Sequence, residues 1–143
     1  MAFANYDPKK IVVTIGGAPV TGYADGTFVN FERTNDAFSM VTGADNLTTR
    51  TKRNDKSGTL TLTLQQTSPS NDLLSTFANL DETDNVGIFS LQVKDAIGTT
   101  VVNAPAAWVR KFAPIERGNE LSNTEWIIDC ADSTITVGSN PVT

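Results

Sequence analysis

Leucine and threonine alternate without interruption from Thr59 to Leu64, and then the period changes. Leu60, Leu62 and Leu64 on one side and Thr59, Thr61 and Thr63 on the other have the two-residue period of a half-buried strand. Beyond Ser68-Pro69 the apolar positions move to Leu73, Leu74, Phe77 and Leu80, the spacing of one helix face. The pattern predicts a strand followed by a helix from about Pro69 to about Leu80. Ser68 is its expected N-cap, Pro69 suits the first helical position, and Asp72 favours the positive end of the helix dipole. The four apolar residues are expected to form one apolar stripe that packs the helix onto its surroundings.

The remaining periodic segments read as strands. In "KKIVVTIGG", Ile11, Val13 and Ile15 face one way and Gly16-Gly17 ends the run. "APVTGYADG" is a short extended segment closed by Asp25-Gly26. "TFVNFERT" sets Val29 and Phe31 against Phe28, Asn30 and Glu32, and "DAFSMVTG" places Phe38 and Met40 in register, with Asn35-Asp36 as a turn between the two. After the helix, "IFSLQVKD" alternates, "TTVVNAPAAWVRKF" returns with an expected break at Pro105, and "TEWIIDCAD" and "STITVG" close the chain. Trp108 and Trp126 lie in apolar contexts and read as core. About eight short strands and one helix predict a mainly β, antiparallel sandwich or partial barrel with one flanking α-helix. The 143 residues suit one domain, 1–143, large enough for a core without disulfides.

Residues 43–57, "GADNLTTRTKRNDKS", break the pattern, because Leu47 is their one large apolar residue. Threonines give strand propensity and Asn54-Asp55 a turn, so a protruding arm or hairpin is expected here. Isolated two-stranded arms are marginal in water, and this one is expected to become ordered on a neighbour. Its charge sharpens that expectation. The chain carries 11 Lys+Arg and 16 Asp+Glu, net −5. Within residues 50–56, Arg50, Lys52, Arg53 and Lys56 stand against Asp55, a local +3 that leaves −8 elsewhere. A cationic protrusion on an acidic body favours head-to-tail self-attraction.

Candidate chemistry is sparse. The chain has no histidine, which removes the commonest general base, the commonest transition-metal ligand and every Ser-His or Cys-His pair. "TIGGAPVTG" lacks the Lys-Ser/Thr of a phosphate loop, and no calcium-loop spacing is present. Asp81, Glu82 and Asp84 read as a solvated helix terminus rather than a glycosidase pair. Cys130, the one cysteine, lies in "EWIIDCA" and reads as a small buried thiol. The expectation is no enzyme, no catalytic residue, no metal and no cofactor. No apolar stretch approaches a membrane span, and the N-terminal residues have no secretory character, so no membrane partner and folding in the cytoplasm are expected.

Three stretches together are specific: "YDPKKIVVTIGGAPVTGYADGTFV", "SGTLTLTLQQTSPSNDLLSTFANL" and the late Trp126-Ile127-Ile128 strand. Across nearly the whole chain the sequence resembles the tail tube proteins of contractile-tailed bacteriophages. The resemblance implies a virion structural protein assembled in the bacterial host cytoplasm. It implies six copies in a ring whose inner sheets join around a lumen, and rings stacked into a tube. It also implies a tape-measure protein inside the tube during assembly, a sheath outside, and double-stranded DNA passing without specific binding. In that setting Leu47, Arg50, Lys52, Arg53 and Lys56 are the expected ring-stacking arm. The lumen candidates are Asn30, Glu32, Ser39, Thr59, Thr61, Thr63 and Asp129, on a wall expected to be net negative and poor in Lys and Arg. The competing reading is a monomeric β-sandwich ligand-binding module, for example for carbohydrate, which needs exposed aromatics along one strand face. A lipocalin-like carrier needs a larger apolar interior than Thr-rich strands provide.

Overall fold

The computed structural model describes residues 2–141. After a 3-10 turn at Pro8–Lys10 come β1 (Ile11–Ile15), β2 (Ala18–Pro19), β3 (Val29–Arg33), β4 (Phe38–Thr42), β5 (Thr48–Lys52) and β6 (Gly58–Gln65). Then follow α1 (Ser70–Asp84), β7 (Phe89–Asp95), β8 (Val101–Lys111), β9 (Asn123–Cys130) and β10 (Thr134–Thr136). The large sheet runs β2-β1-β7-β8-β9-β6-β3, with β10 also on β8, and every pairing is antiparallel.

The sheet rolls because β8 belongs to both halves. Val101–Ala107 pairs with β7, Val101–Asn103 also carries β10 on its other side, and Ala107–Lys111 pairs with β9. Phe89 stands opposite Ala107 while Leu91 stands opposite Ala104, so β8 holds one extra residue at Pro105-Ala106. Pro105 therefore does not break the strand, as its lack of an N–H suggested. It sits in a bulge, where no ladder hydrogen bond is required and the strand bends.

One face of the roll is the core. Leu60, Leu62, Leu64, Ile15, Val13, Ile128 and Ala104 have no exposed surface, and Trp126, Phe89, Leu91, Val93, Val102 and Val109 complete the cluster. Burying each leucine of β6 contributes about 1.5–3 kcal/mol. Cys130 is buried here, and burial, with the neighbouring Asp129 charge, pushes its thiol up to about 11. Trp108 departs from the expectation: it alternates with buried Ala107 and Val109 and is half-buried on the opposite face.

α1 closes one end of the roll, where β1 and β6 end and β7 and β9 begin. It starts one residue later than predicted and runs four residues further, to Asp84, where Asn85 turns left-handed at φ 56°. Ser68 is not the N-cap residue, yet its Oγ accepts from Ser70 N–H at 3.2 Å. Leu74 and Ala78 are buried, and Leu73 and Phe77 are half-buried. Phe77 packs against Phe89 with ring centroids 4.8 Å apart, and its ring lies over Gly16, where a Cβ would stand 2.8 Å from Phe77 Cζ. Leu80, expected in the packed stripe, is 44% exposed.

The Ser-Pro-Ser-Asn stretch locks the helix to three other segments. Ser68 Oγ donates to the Thr21 carbonyl, and Ser70 Oγ accepts from Thr21 N–H. Asn71 Nδ2 donates to the Gln65 carbonyl at 3.0 Å, while its Oδ1 accepts from Thr124 Oγ1 at 2.7 Å and Trp126 Nε1 at 2.9 Å. The side-chain amide of Asn71 thus satisfies the buried indole N–H.

Candidate functional site

At the opposite end of the roll, where β3 ends and β6 begins, β4 and β5 leave the body as a separate two-stranded sheet. Phe38 pairs with Lys52, Met40 with Arg50 and Thr42 with Thr48. The hairpin turn lies at 43–47, with Asn46 at φ 64° and Asp45 Oδ1 accepting from Leu47 N–H. Three sequence expectations change. Phe38–Thr42 is half of the hairpin rather than a strand of the body. Asn54-Asp55 is at its base rather than its tip, and Asn35-Asp36 is the exit from β3, which does not pair with β4.

The base is clasped. Asn35 Nδ2 donates to Asp55 Oδ2 at 2.7 Å, and Arg53 N–H donates to the Ala37 carbonyl at 2.8 Å. The Asp55 carboxyl is held below its ordinary range, first by the Ser57 N–H, then by the Ser57 hydroxyl and Asn35. Lys56 is anchored to the body, its carbonyl accepting from both N–H and Oγ of the fully buried Ser133. It therefore lies below the hairpin, whereas Leu47, Arg50, Lys52 and Arg53 lie on or next to it.

Every residue of β4 and β5 is exposed, although the hairpin carries large apolar side chains: Met40 is 71%, Val41 69% and Leu47 67% exposed. The alternation puts Phe38, Met40, Arg50 and Lys52 on one face and Ser39, Val41, Thr49 and Thr51 on the other. The Arg50 guanidinium lies 4.3 Å from the centre of the Phe38 ring, a cation–π contact that leaves its N–H fork free to meet an acceptor.

The expected lumen residues gather on the face of β3, β6, β9 and the second half of β8 that points away from the core. Glu32, Thr59, Asp129 and Trp108 form one cross-strand row, and Asn30, Thr61 and Ile127 another, with Thr63 opposite Glu125. Six of the seven candidates share this face. Ser39 does not, since β4 is outside the sheet and Ser39 faces Thr51 on the hairpin. Trp108 is the aromatic of these rows, not the run of exposed rings that a carbohydrate face needs.

This face is less purely acidic than expected. Arg110 grips Asp129 through Nε at 2.9–3.0 Å and Nη2 at 2.6 Å, and Nη2 also reaches Thr59 Oγ1 at 3.1 Å. Asp129 in turn raises the guanidinium above its ordinary value. With Lys111 opposite Ile127, the face holds Glu32, Glu125 and Asp129 against two cations. The two-residue period from Trp108 would have placed Arg110 here. Nothing local in the sequence marks Asn71 as the partner of Trp126. Among the described residues no group of three or more His, Cys, Asp or Glu side chains is placed to hold a metal ion. Among the described residues no helix is long and apolar enough to cross a membrane.

Comparison with known proteins gives the same picture from three directions. The family described as the bacteriophage PhiTE tail tube protein matches residues 5–138. Structural protein ORF10 of Pseudomonas phage KPP10 is 26% identical over 145 residues, covering 96% of this chain and 84% of that protein. Among solved structures, the sheath-tube complex of an extracellular contractile injection system, PVC, in its extended state has a chain superposing with a TM-score of 0.66 at 10% identity, over 92% of this chain and 91% of that one. The sheath/tube terminator of the same system gives 0.64 at 11% over 93% and 97%, and the tube-terminating cap of the anti-feeding prophage 0.62 at 12% over 92% and 91%. These likenesses confirm the mainly β fold with its flanking helix. Matched over nearly its whole length, the chain belongs to the bacteriophage PhiTE tail tube protein family and is a structural protein of a phage tail.

Proposed function

We propose that six copies close into a ring, that rings stack through the β4–β5 hairpin, and that the resulting tube carries double-stranded DNA. The observation that supports this best is a wet sheet face ending at an open edge. Among the described residues β3 pairs with β6 alone in the large sheet, which leaves its outer edge available to continue the sheet into a neighbour. Six such joints would carry the Glu32 and Asn30 rows around a lumen. The sheath and tube named in the related injection systems fit a tube of this chain enclosed by a sheath protein. A tape-measure protein would occupy the lumen during assembly in the host cytoplasm, and no catalysis is required of any residue.

The lumen face suits passage rather than binding. A wall rich in cations would gain favourable contacts with each phosphate and hold the genome. Here Arg110 is neutralised by Asp129, while neither Glu32 nor Glu125 is in an ion pair among the described residues. Replacing Glu32 and Glu125 with Lys in every copy would create a basic girdle without releasing Arg110. The expected result is tubes of normal appearance and slowed or stalled genome ejection. Ejection at the parental rate from particles carrying both substitutions would contradict the electrostatic account. Failure to assemble would place these residues at a subunit joint instead of the lumen.

A further inference from the structure

We propose that Met40 is a reversible oxidation site: a peroxide converts its thioether to the sulfoxide, and a copy modified in this way no longer stacks. The consequence for stacking rests on the hairpin reading above, whereas the modification itself does not.

The chain holds three sulfur atoms, in Met1, Met40 and Cys130. Met1 lies outside the described residues. Cys130 is 1% exposed, and its thiol, pushed up to about 11, supplies little of the thiolate that oxidants attack. Met40 is the reverse case. It is 71% exposed at the middle of β4, on a hairpin whose strands are exposed at every residue. A thioether carries no proton to lose, so access to the sulfur governs its reaction.

With hydrogen peroxide the step balances without a further reagent. A sulfur lone pair attacks one peroxide oxygen, the O–O bond breaks and an S–O bond forms. The second oxygen takes up the proton of the first and leaves as water. Sulfur gives up two electrons and the peroxide accepts them. The product is reducible by methionine sulfoxide reductases, which makes the change reversible.

The neighbours of Met40 decide what the added oxygen does. Met40 stands opposite Arg50 in the ladder and shares its face with Phe38 and Lys52. In the reduced chain Arg50 lies over the Phe38 ring, and Met40 beside them is a flexible apolar side chain. The sulfoxide is polar, and its oxygen is a strong hydrogen-bond acceptor. Next to Arg50 it takes up N–H donors that the thioether leaves free, and it removes apolar surface from the same face. One oxygen thus weakens both features this face offers a second copy, apolar area and an unengaged cation. The base of the hairpin, held through Asn35–Asp55 and Arg53–Ala37, involves neither residue, so the body keeps its fold. Once a second copy covers the face Met40 is shielded, and sensitivity belongs to the unassembled chain.

The test treats the unassembled full chain with dilute hydrogen peroxide. The tryptic peptide 34–50, which carries Met40 and neither other sulfur, should gain one oxygen, while the peptide containing Cys130 should not. The oxidised chain should keep its circular dichroism and melting curve. Its fraction in pelletable tubes should fall about fivefold or more, since an apolar and a charged contact are weakened together. A methionine sulfoxide reductase should restore that fraction. Met40→Leu should stack and be indifferent to peroxide, and Met40→Gln should stack as poorly as the oxidised chain. In tubes formed before treatment, Met40 should oxidise several-fold more slowly than in free copies. An unmodified peptide 34–50, an oxidised chain that stacks like its parent, a loss that persists in Met40→Leu, or equal oxidation rates in tubes and free copies would each overturn the proposal. Removal of residues 37–53 separates it from the reading beneath it. Stacking by that shortened chain would overturn the hairpin reading and this proposal with it. Loss of stacking on removal, beside normal stacking of the oxidised chain, would overturn the oxidation site alone.

Discussion

Excision of the hairpin, with residues 37–53 replaced by a short glycine-serine link, is expected to leave a folded β protein that no longer stacks. The body loses little, because every residue of β4 and β5 is exposed and the two strands pair only with each other. The Arg53–Ala37 bond goes with the hairpin, but the rest of the base survives, since Asn35, Asp55, Ser57, Lys56 and Ser133 all lie outside the excised segment. What disappears is the chain's concentration of cationic and apolar surface: Arg50, Lys52 and Arg53 with Phe38, Met40 and Val41. Circular dichroism and thermal melting should resemble the parent, while sedimentation and electron microscopy should show no tubes. Tubes of normal length from the excised chain would refute a stacking role. If charge steers the contact, raising salt should weaken parental assembly, as the screening length shrinks to about 3 Å at 1 M.

The largest loss of stability is expected from Leu74→Ala. Leu74 has no exposed surface and sits where α1 meets the core. Its truncation removes buried methyl groups and leaves a cavity that the surrounding strands fill only in part, at a cost of about 2–5 kcal/mol. Leu80→Ala, four-tenths exposed in a single copy, should change the unassembled chain by only about 0.5 kcal/mol. Asp72→Ala should cost about 0.3–1 kcal/mol through the helix dipole. Denaturant midpoints of the unassembled variants check the ranking. A Leu74→Ala chain as stable as its parent would mean that the helix is not docked on the roll.

Much of this architecture was legible in the periodicity. The Leu60-Leu62-Leu64 row, the helix after Ser68-Pro69 and the last two strands follow from residues whose partners are in the same chain. The misreadings share one physical cause. Phe38 and Met40 alternate like core residues, and Leu80 falls on the helical stripe, yet all three face solvent in one copy. Periodicity reports that a side chain is meant to be covered, not whether its own chain or another covers it. Other features were invisible for a different reason. Arg110 meets Asp129 across 19 residues and Asn71 meets Trp126 across 55, so their pairing exists only once the sheet has rolled. The bulge at Pro105-Ala106 likewise depends on β8 serving two halves of the sheet, which no local pattern encodes.

The central claim is that this chain acts by assembling with itself into a tube. Electron microscopy of the purified protein at increasing concentration, paired with its solution mass, tests it most directly. The account predicts six-membered rings seen end-on and tubes of a single diameter seen side-on, with the monomer species declining as concentration rises. Particles of monomer mass at every concentration, with neither rings nor tubes, would contradict it.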